Sequence, residues 1–412
     1  MSVSRMPLVS KRNNLPPQPQ PPQPQPPPRG SSSIRTSIRD FSSQWFLIPQ
    51  GTAITATVLH QLDYRFPGLT TIAYIFWAAS ILLLLLMLTL YAARLTLYPT
   101  PTIRALKHDD AELAGLASIS ITFTSVTQTA SLALAPSSRG PWSATVHILW
   151  WISFALATTT ILILPFIFIK VYPPGVAHLS PSTQLAVTAA LTAAAAGGTL
   201  CTSAANLTSA QQVPIIVVSY LLVGMGLPLA FALDVLFWAR LLGNYEPPKE
   251  KAFQDMILCG PWGQASYALQ ILGQAVIGGS FASYTGNGAL LSADAAAAPV
   301  GYASIFAGLV AWGLGTYWWL FAILGVLRAF FEGGWKPNRI PYTLAGWAMV
   351  FPWGVYTNAA LQLGKIFGSR AFKVWSTCLA VMLVLIWLWN VGLTMKMLFD
   401  KCKAKRLVLA SA

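Results

Sequence analysis

The sequence predicts an all-α polytopic membrane protein: ten transmembrane helices in five hairpins, with the odd helices forming an inner pore ring. Three observations carry this. Of 412 residues, 55% are hydrophobic and only 9% charged, a balance that no soluble surface of this size matches. The apolar residues gather into ten segments, at about 41–62, 69–94, 113–135, 144–171, 182–207, 213–242, 254–284, 302–330, 343–364 and 372–398, each able to supply the roughly 20 helical residues that cross a bilayer. Small, hydroxylated and helix-breaking residues concentrate in the odd segments, which is where helices pack closely or water enters.

The flanks set the organisation. Residues 1–40 carry PPQPQPPQPQPPP from Pro16 to Pro28 and no apolar core of a signal peptide, so they are expected to form a disordered Pro/Gln-rich cytosolic tail. Residues 41–398 form the transmembrane domain and 399–412 a basic cytosolic tail. The net charge of +14 would suit nucleic acid only on a basic soluble face. Here Lys and Arg sit in gaps between apolar runs, so the partner is a lipid bilayer and no nucleic acid. With both termini cytosolic, 21 basic residues fall inside and five outside, namely Arg65, Arg139, Lys365, Arg370 and Lys373. That bias fixes the orientation. The Asn206-Leu207-Thr208 sequon then lies on the outer side.

Taken in order, the first segment holds WFLIPQGTAI (Trp45 to Ile54) and the second LLLLLML from Leu82, a lipid-facing composition. In the third, nine of 23 residues are Ser, Thr or Gln, more than one packing seam needs. The fourth is plainly apolar, and the fifth reads TAALTAAAAGGTLCTSA from Thr188. The sixth contains Asp234, an intramembrane acid expected to be satisfied structurally by Arg240 or a water. YWWLFAIL from Tyr317 and VMLVLIWLW from Val381 make the eighth and tenth lipid-facing. The seventh and ninth carry GPWGQASYALQILG (Gly260 to Gly273) and FPWGVYTNAALQLG (Phe351 to Gly364), which share Pro, Trp, Gly, Ala, Leu and Gly at the same offsets. They read as equivalent positions of a repeated unit, each breaking its helix at mid-membrane and therefore facing inward.

Other chemistries find little support. The four cysteines have no paired spacing and read as packing residues; the four dispersed histidines suggest no metal, and no Ser/His constellation suggests an enzyme. No cofactor is implied. Apart from Asp255, at the start of the seventh segment, the odd segments hold no Asp, Glu, Lys or Arg. That argues against a carboxylate proton relay and an acid-ringed cation channel. A neutral lumen suits a weakly held ion, and the basic cytosolic face would concentrate anions, although carbonyls freed by proline would suit cations. Gly51, Gly260, Pro261, Gly263, Pro352 and Gly354 are the candidate pathway-shaping residues, with Thr124, Thr127, Gln128 and Gln264 as lining candidates.

These residues resemble the tellurite-resistance and dicarboxylate transporter family, which includes plant slow anion channels, the yeast malate permease and fungal sulfite efflux pumps. WFLIPQGTAI and GWAMVFPWGVYTNAALQLG carry the likeness, over about residues 41–398. GPWGQASYALQILG is similar to the Gly-Pro-x-Gly-Gln block of the sulfite pumps. The resemblance implies a plasma-membrane homotrimer, a pore of inner helices, and a phenylalanine plug at Phe351, whose repeat counterpart is Gly260. It implies a small inorganic anion as substrate, sulfite or bisulfite leaving the cytosol, with a malate-type dicarboxylate or nitrate and chloride as alternatives. The long leader and the Ala-rich fifth segment depart from the sulfite pumps and leave the native anion open.

Overall fold

The computed structural model describes residues 33–134, 142–204, 206–243, 249–282, 284, 294–331 and 341–410. Within them the protein has ten helices of 15 residues or more and no strand: α1 Leu47–Gln61, α2 Leu69–Leu97, α3 Ala117–Ala133, α4 Trp142–Val171, α5 Gln184–Ser203, α6 Ser209–Leu242, α7 Cys259–Ile277, α8 Asp294–Phe331, α9 Val350–Ile366 and α10 Arg370–Ala410. Six regions, in α2, α4, α5, α6, α8 and α10, are long and apolar enough to cross a membrane. The chain is an all-α polytopic membrane protein.

Odd and even helices differ in burial as they do in composition. In the most apolar windows of the five even helices only 22–39% of residues are buried, against 94% for α5. Leu82, Leu162, Leu221, Leu324 and Leu385, one on each even helix, stand exposed. In a bilayer such side chains face acyl chains. By contrast α1, α7 and α9 are buried along nearly their whole length, including Thr52, Thr55, Thr57, Gln264, Ser266, Gln270, Thr357 and Asn358. Cys201 and Cys259 are packed inside, but Cys378 and Cys402 on α10 are exposed, so the expectation that the cysteines are packing residues fails at those two.

Each odd helix is entered through a short helical lead-in: Ser43–Phe46, Asp110–Gly115, Pro181–Thr183, Lys249–Leu258 and Leu344–Met349. Four lead-ins open on a side-chain cap. Ser42, Asp109, Ser180 and Thr343 accept hydrogen bonds from backbone N–H groups that have no intrahelical partner. At the first of them Glu112 accepts from Ser42 Oγ (2.5 Å) and Ser43 N (3.0 Å) and pairs with the buried Arg94 guanidinium. Arg94 Nε in turn donates to Arg39 O (3.1 Å), on the short helix Ser33–Arg39. Residues 33–39 of the sequence-defined tail are thus helical, α10 runs on past 398 to Ala410, and the Pro/Gln run lies outside the described residues.

The prolines do not break their helices at mid-span as the sequence suggested. Pro261 and Pro352 are each the third residue of their α-helix, at the step from 3₁₀ to α winding, where the hydrogen-bond ladder changes pattern and the ring is accommodated. A third copy has the same place: Pro49-Gln50-Gly51 opens α1 as Pro261-Trp262-Gly263 opens α7 and Pro352-Trp353-Gly354 opens α9. The change of backbone is from 3₁₀ to α just ahead of the proline, with no gap in the helix. The five odd helices pack in succession, α1 on α3, α3 on α5, α5 on α7, α7 on α9, and α9 back on α1.

Candidate functional site

The Pro-x-Gly openings hold the odd helices together. A Cβ on Gly51 would lie 2.9 Å from Val350 Cγ1, one on Gly354 2.7 Å from Ile54 Cγ1, and one on Gly263 2.8 Å from the Tyr356 backbone N. These three glycines therefore sit in the α1–α9 and α7–α9 seams and let the backbones approach. Gly260 differs, since a Cβ there would meet Pro352 Cγ at 3.6 Å and Thr188 Oγ1 at 3.9 Å, ordinary contacts. Gly263→Ala should thus destabilise the fold by roughly 1–3 kcal/mol through overpacking against backbone, whereas Gly260→Ala should be neutral or slightly stabilising. Thermal unfolding of both variants in detergent checks the contrast, and equal midpoints would contradict it.

The two block tryptophans are buried and tie the odd helices to the even ones. Trp353 Nε1 donates to Leu379 O of α10 (3.1 Å), and Trp262 Nε1 donates to Asp234 Oδ2 of α6 (2.6 Å). Asp234 also accepts from Trp318 Nε1 of α8 (2.8 Å) and Gln184 Nε2 of α5 (2.8 Å). The sequence pointed to Arg240 or a water as its partner; the Arg240 guanidinium donates to Leu179 O. Asp234 fastens four helices through three neutral donors.

Phe351 and Gly260 are each the second residue of their helix, and Phe351 is only 2% exposed. Phe351 shares one hydrophobic cluster with Ile54 of α1 and Ile121 of α3. Seven residues after each of these positions, within about 20° of two full turns and so on the same helix face, stand Gln61, Gln128, Tyr267 and Asn358. These four meet, together with Thr199 of α5. Gln61 Nε2 donates to Asn358 Oδ1 (2.8 Å), Tyr267 OH donates to Gln61 Oε1 (3.3 Å) and contacts Thr199 Oγ1 (3.2 Å), and Gln128 Nε2 donates to Thr199 Oγ1 (3.1 Å). Every odd helix contributes one polar side chain to this belt, and all five are buried.

Of the predicted lining residues, Gln128 joins the belt. Thr127 donates to Phe123 O (3.0 Å) on its own helix, while Thr124 Oγ1 and Gln264 Oε1 are buried without a partner. So are both side-chain polar atoms of Gln50, and Ser118 Oγ, Ser120 Oγ, Ser125 Oγ, Gln128 Oε1 and Asn358 Nδ2. Buried polar groups in a native fold find partners in protein, water or ligand, and among the described residues most of these atoms lie on the odd helices. Sequence reasoning missed Gln61, Thr199, Tyr267 and Asn358, although Tyr267 and Asn358 hold the same offset in the two aligned blocks.

A family model described as "SLAC1: Voltage-dependent anion channel" matches residues 40–395. The chain belongs to the voltage-dependent anion channel family. Among curated relatives it is 28% identical over 366 residues, 87% of this chain and 91% of the relative, to the sulfite efflux pump SSU1 of Arthroderma benhamiae. It has the same identity and coverage with SSU1 of Trichophyton rubrum. To the malic acid transport protein of Schizosaccharomyces pombe it is 23% identical over 359 residues, 85% of this chain and 77% of that protein. Membership of this family gives the chain an anion-transporting role.

Proposed function

We propose that this protein is a plasma-membrane sulfite or bisulfite efflux transporter with a channel-like pathway along the axis of its five odd helices, gated by Phe351. The observation that carries the reading is the core itself: five helices packing in a closed succession, lined with buried polar atoms that lack partners, around a buried aromatic ring. The fungal relatives, which are sulfite efflux pumps, supply the anion. All ten long helices span the bilayer in five hairpins. α1 with its lead-in Ser43–Phe46 extends about 30 Å, the hydrocarbon thickness. The 21-to-five distribution of basic residues puts both termini in the cytosol, and the greasy even helices form the lipid face and the seams of a homotrimer.

In this reading Phe351, with Ile54 and Ile121, makes an apolar constriction that excludes water and ions until the ring turns aside. The glycines of the three Pro-x-Gly openings shape the pathway by setting how closely α1, α7 and α9 approach. The malate reading ranks second, because a doubly charged dicarboxylate calls for a fixed cation and α1, α3, α5 and α7 hold none, while α9 has only Lys365 in its last turn. Uptake of labelled sulfite, malate, nitrate and chloride into the same proteoliposomes tests the assignment. Sulfite should exceed malate at least tenfold; malate exceeding sulfite would overturn it.

A further inference from the structure

The belt around Tyr267 gives the pathway reading, on which this inference rests, a second element. We propose that Gln61, Gln128, Thr199, Tyr267 and Asn358 form a polar constriction, about 10 Å along the axis from Phe351, where a permeating oxyanion exchanges water for hydrogen bonds from the chain. The gate excludes; the belt selects.

The argument begins with the count of donors. Asn358 Nδ2 has no partner, and the Gln61 and Gln128 amides each spend one N–H within the belt, leaving a second on each. The spare acceptors are Gln128 Oε1, which has no partner, and the second lone pairs of oxygens already engaged. With no charged side chain in the belt, the four uncommitted amide N–H groups, one on Gln61, one on Gln128 and two on Asn358, can turn to an anion. The donors also come from different helices. An oxyanion such as sulfite, with three oxygens, can accept from α1, α3 and α9 together, and from Tyr267 of α7 once its bond to Gln61 opens, which a spherical halide does less well.

Closure follows from the same contacts. The side chains bond one another at 2.8 to 3.3 Å, so an ion enters by replacing those bonds with its own. Exchange of one set of hydrogen bonds for another keeps the site shallow enough to release the ion, as conduction requires. The Phe351 level and the belt are two turns apart on one face, so an ion admitted past the ring meets the belt next.

The test compares sulfite, nitrate and chloride flux in proteoliposomes carrying Phe351→Ala alone and Phe351→Ala with Tyr267→Phe. Tyr267→Phe keeps the ring and removes only the hydroxyl. The expected result is at least a fivefold fall in the sulfite-to-chloride ratio, a readout that a purely structural role would not move. Asn358→Asp in the same background places a fixed negative charge on the belt and should lower total anion flux at least tenfold. Each variant is read only where it elutes as a single symmetric peak. A sulfite-to-chloride ratio within twofold of the parent, or an Asn358→Asp variant with undiminished anion flux, overturns the belt while leaving the pathway standing. Phe351→Ala vesicles that pass no anion at all remove the pathway and the belt with it.

Discussion

Phe351→Ala should raise anion flux through reconstituted vesicles at least tenfold. Two roles for the ring compete, and they differ in sign. If Phe351 were ordinary core, truncation would destabilise the protein by about 3–5 kcal/mol and flux would fall with folded yield. If it is the gate, the lost packing is partly offset, because the vacated space would open onto buried polar atoms that lack protein partners and would take water. A tenfold gain then corresponds to about 1.4 kcal/mol removed from the permeation barrier. The repeat strengthens the gate reading. The equivalent position in α7 is Gly260, where a Cβ would meet only ordinary contacts, so one side chain alone can close and open the passage. Flux per folded protein, by stopped-flow or tracer uptake, decides between the two. Unchanged or lower flux in a folded variant removes the gate.

Asp234→Ala should have the largest effect on folding. The carboxylate is 4% exposed and accepts from Trp262, Trp318 and Gln184. Removing it leaves three buried donors unpaired, for a loss on the order of 3–5 kcal/mol. Asp234→Asn keeps the shape but offers one accepting oxygen and turns an amino group towards donors, so it should be intermediate. The expected result is a steep fall in folded yield with the sulfite-to-chloride ratio of the surviving protein unchanged. Normal yield with altered selectivity would instead place Asp234 in the pathway.

Much of this architecture was legible in the sequence because lipid and packed protein select different compositions. LLLLLML in α2 and the Ser/Thr-rich run of α3 announce their surroundings without any alignment. The place of the prolines was not legible. The lead-in LAGWAM runs into VFPWG with no polar residue between, so nothing in the string separates a first turn from a mid-helix break. The partner of Asp234 was misread through proximity in sequence. Arg240 is six residues on, well off the same helix face, and the true donors include the tryptophan of the repeated block itself. Tyr267 and Asn358 were hidden because a tyrosine or asparagine in an apolar run reads as isolated. Only the closing of α9 onto α1 brings Gln61, nearly 300 positions away, against Asn358.

The central claim is that these five odd helices enclose a permeable axis, and thiol reactivity at position 128 tests it most directly. In a chain whose four native cysteines are replaced and Phe351 is Ala, Gln128→Cys should react with a small, water-soluble, negatively charged methanethiosulfonate. Sulfite should slow the labelling, and labelling should block flux. Leu324→Cys, on the exposed face of α8, is the lipid-facing control and should stay unlabelled. If Gln128→Cys is as inert as that control while the vesicles still carry anions, the route lies elsewhere in the protein and the account is wrong.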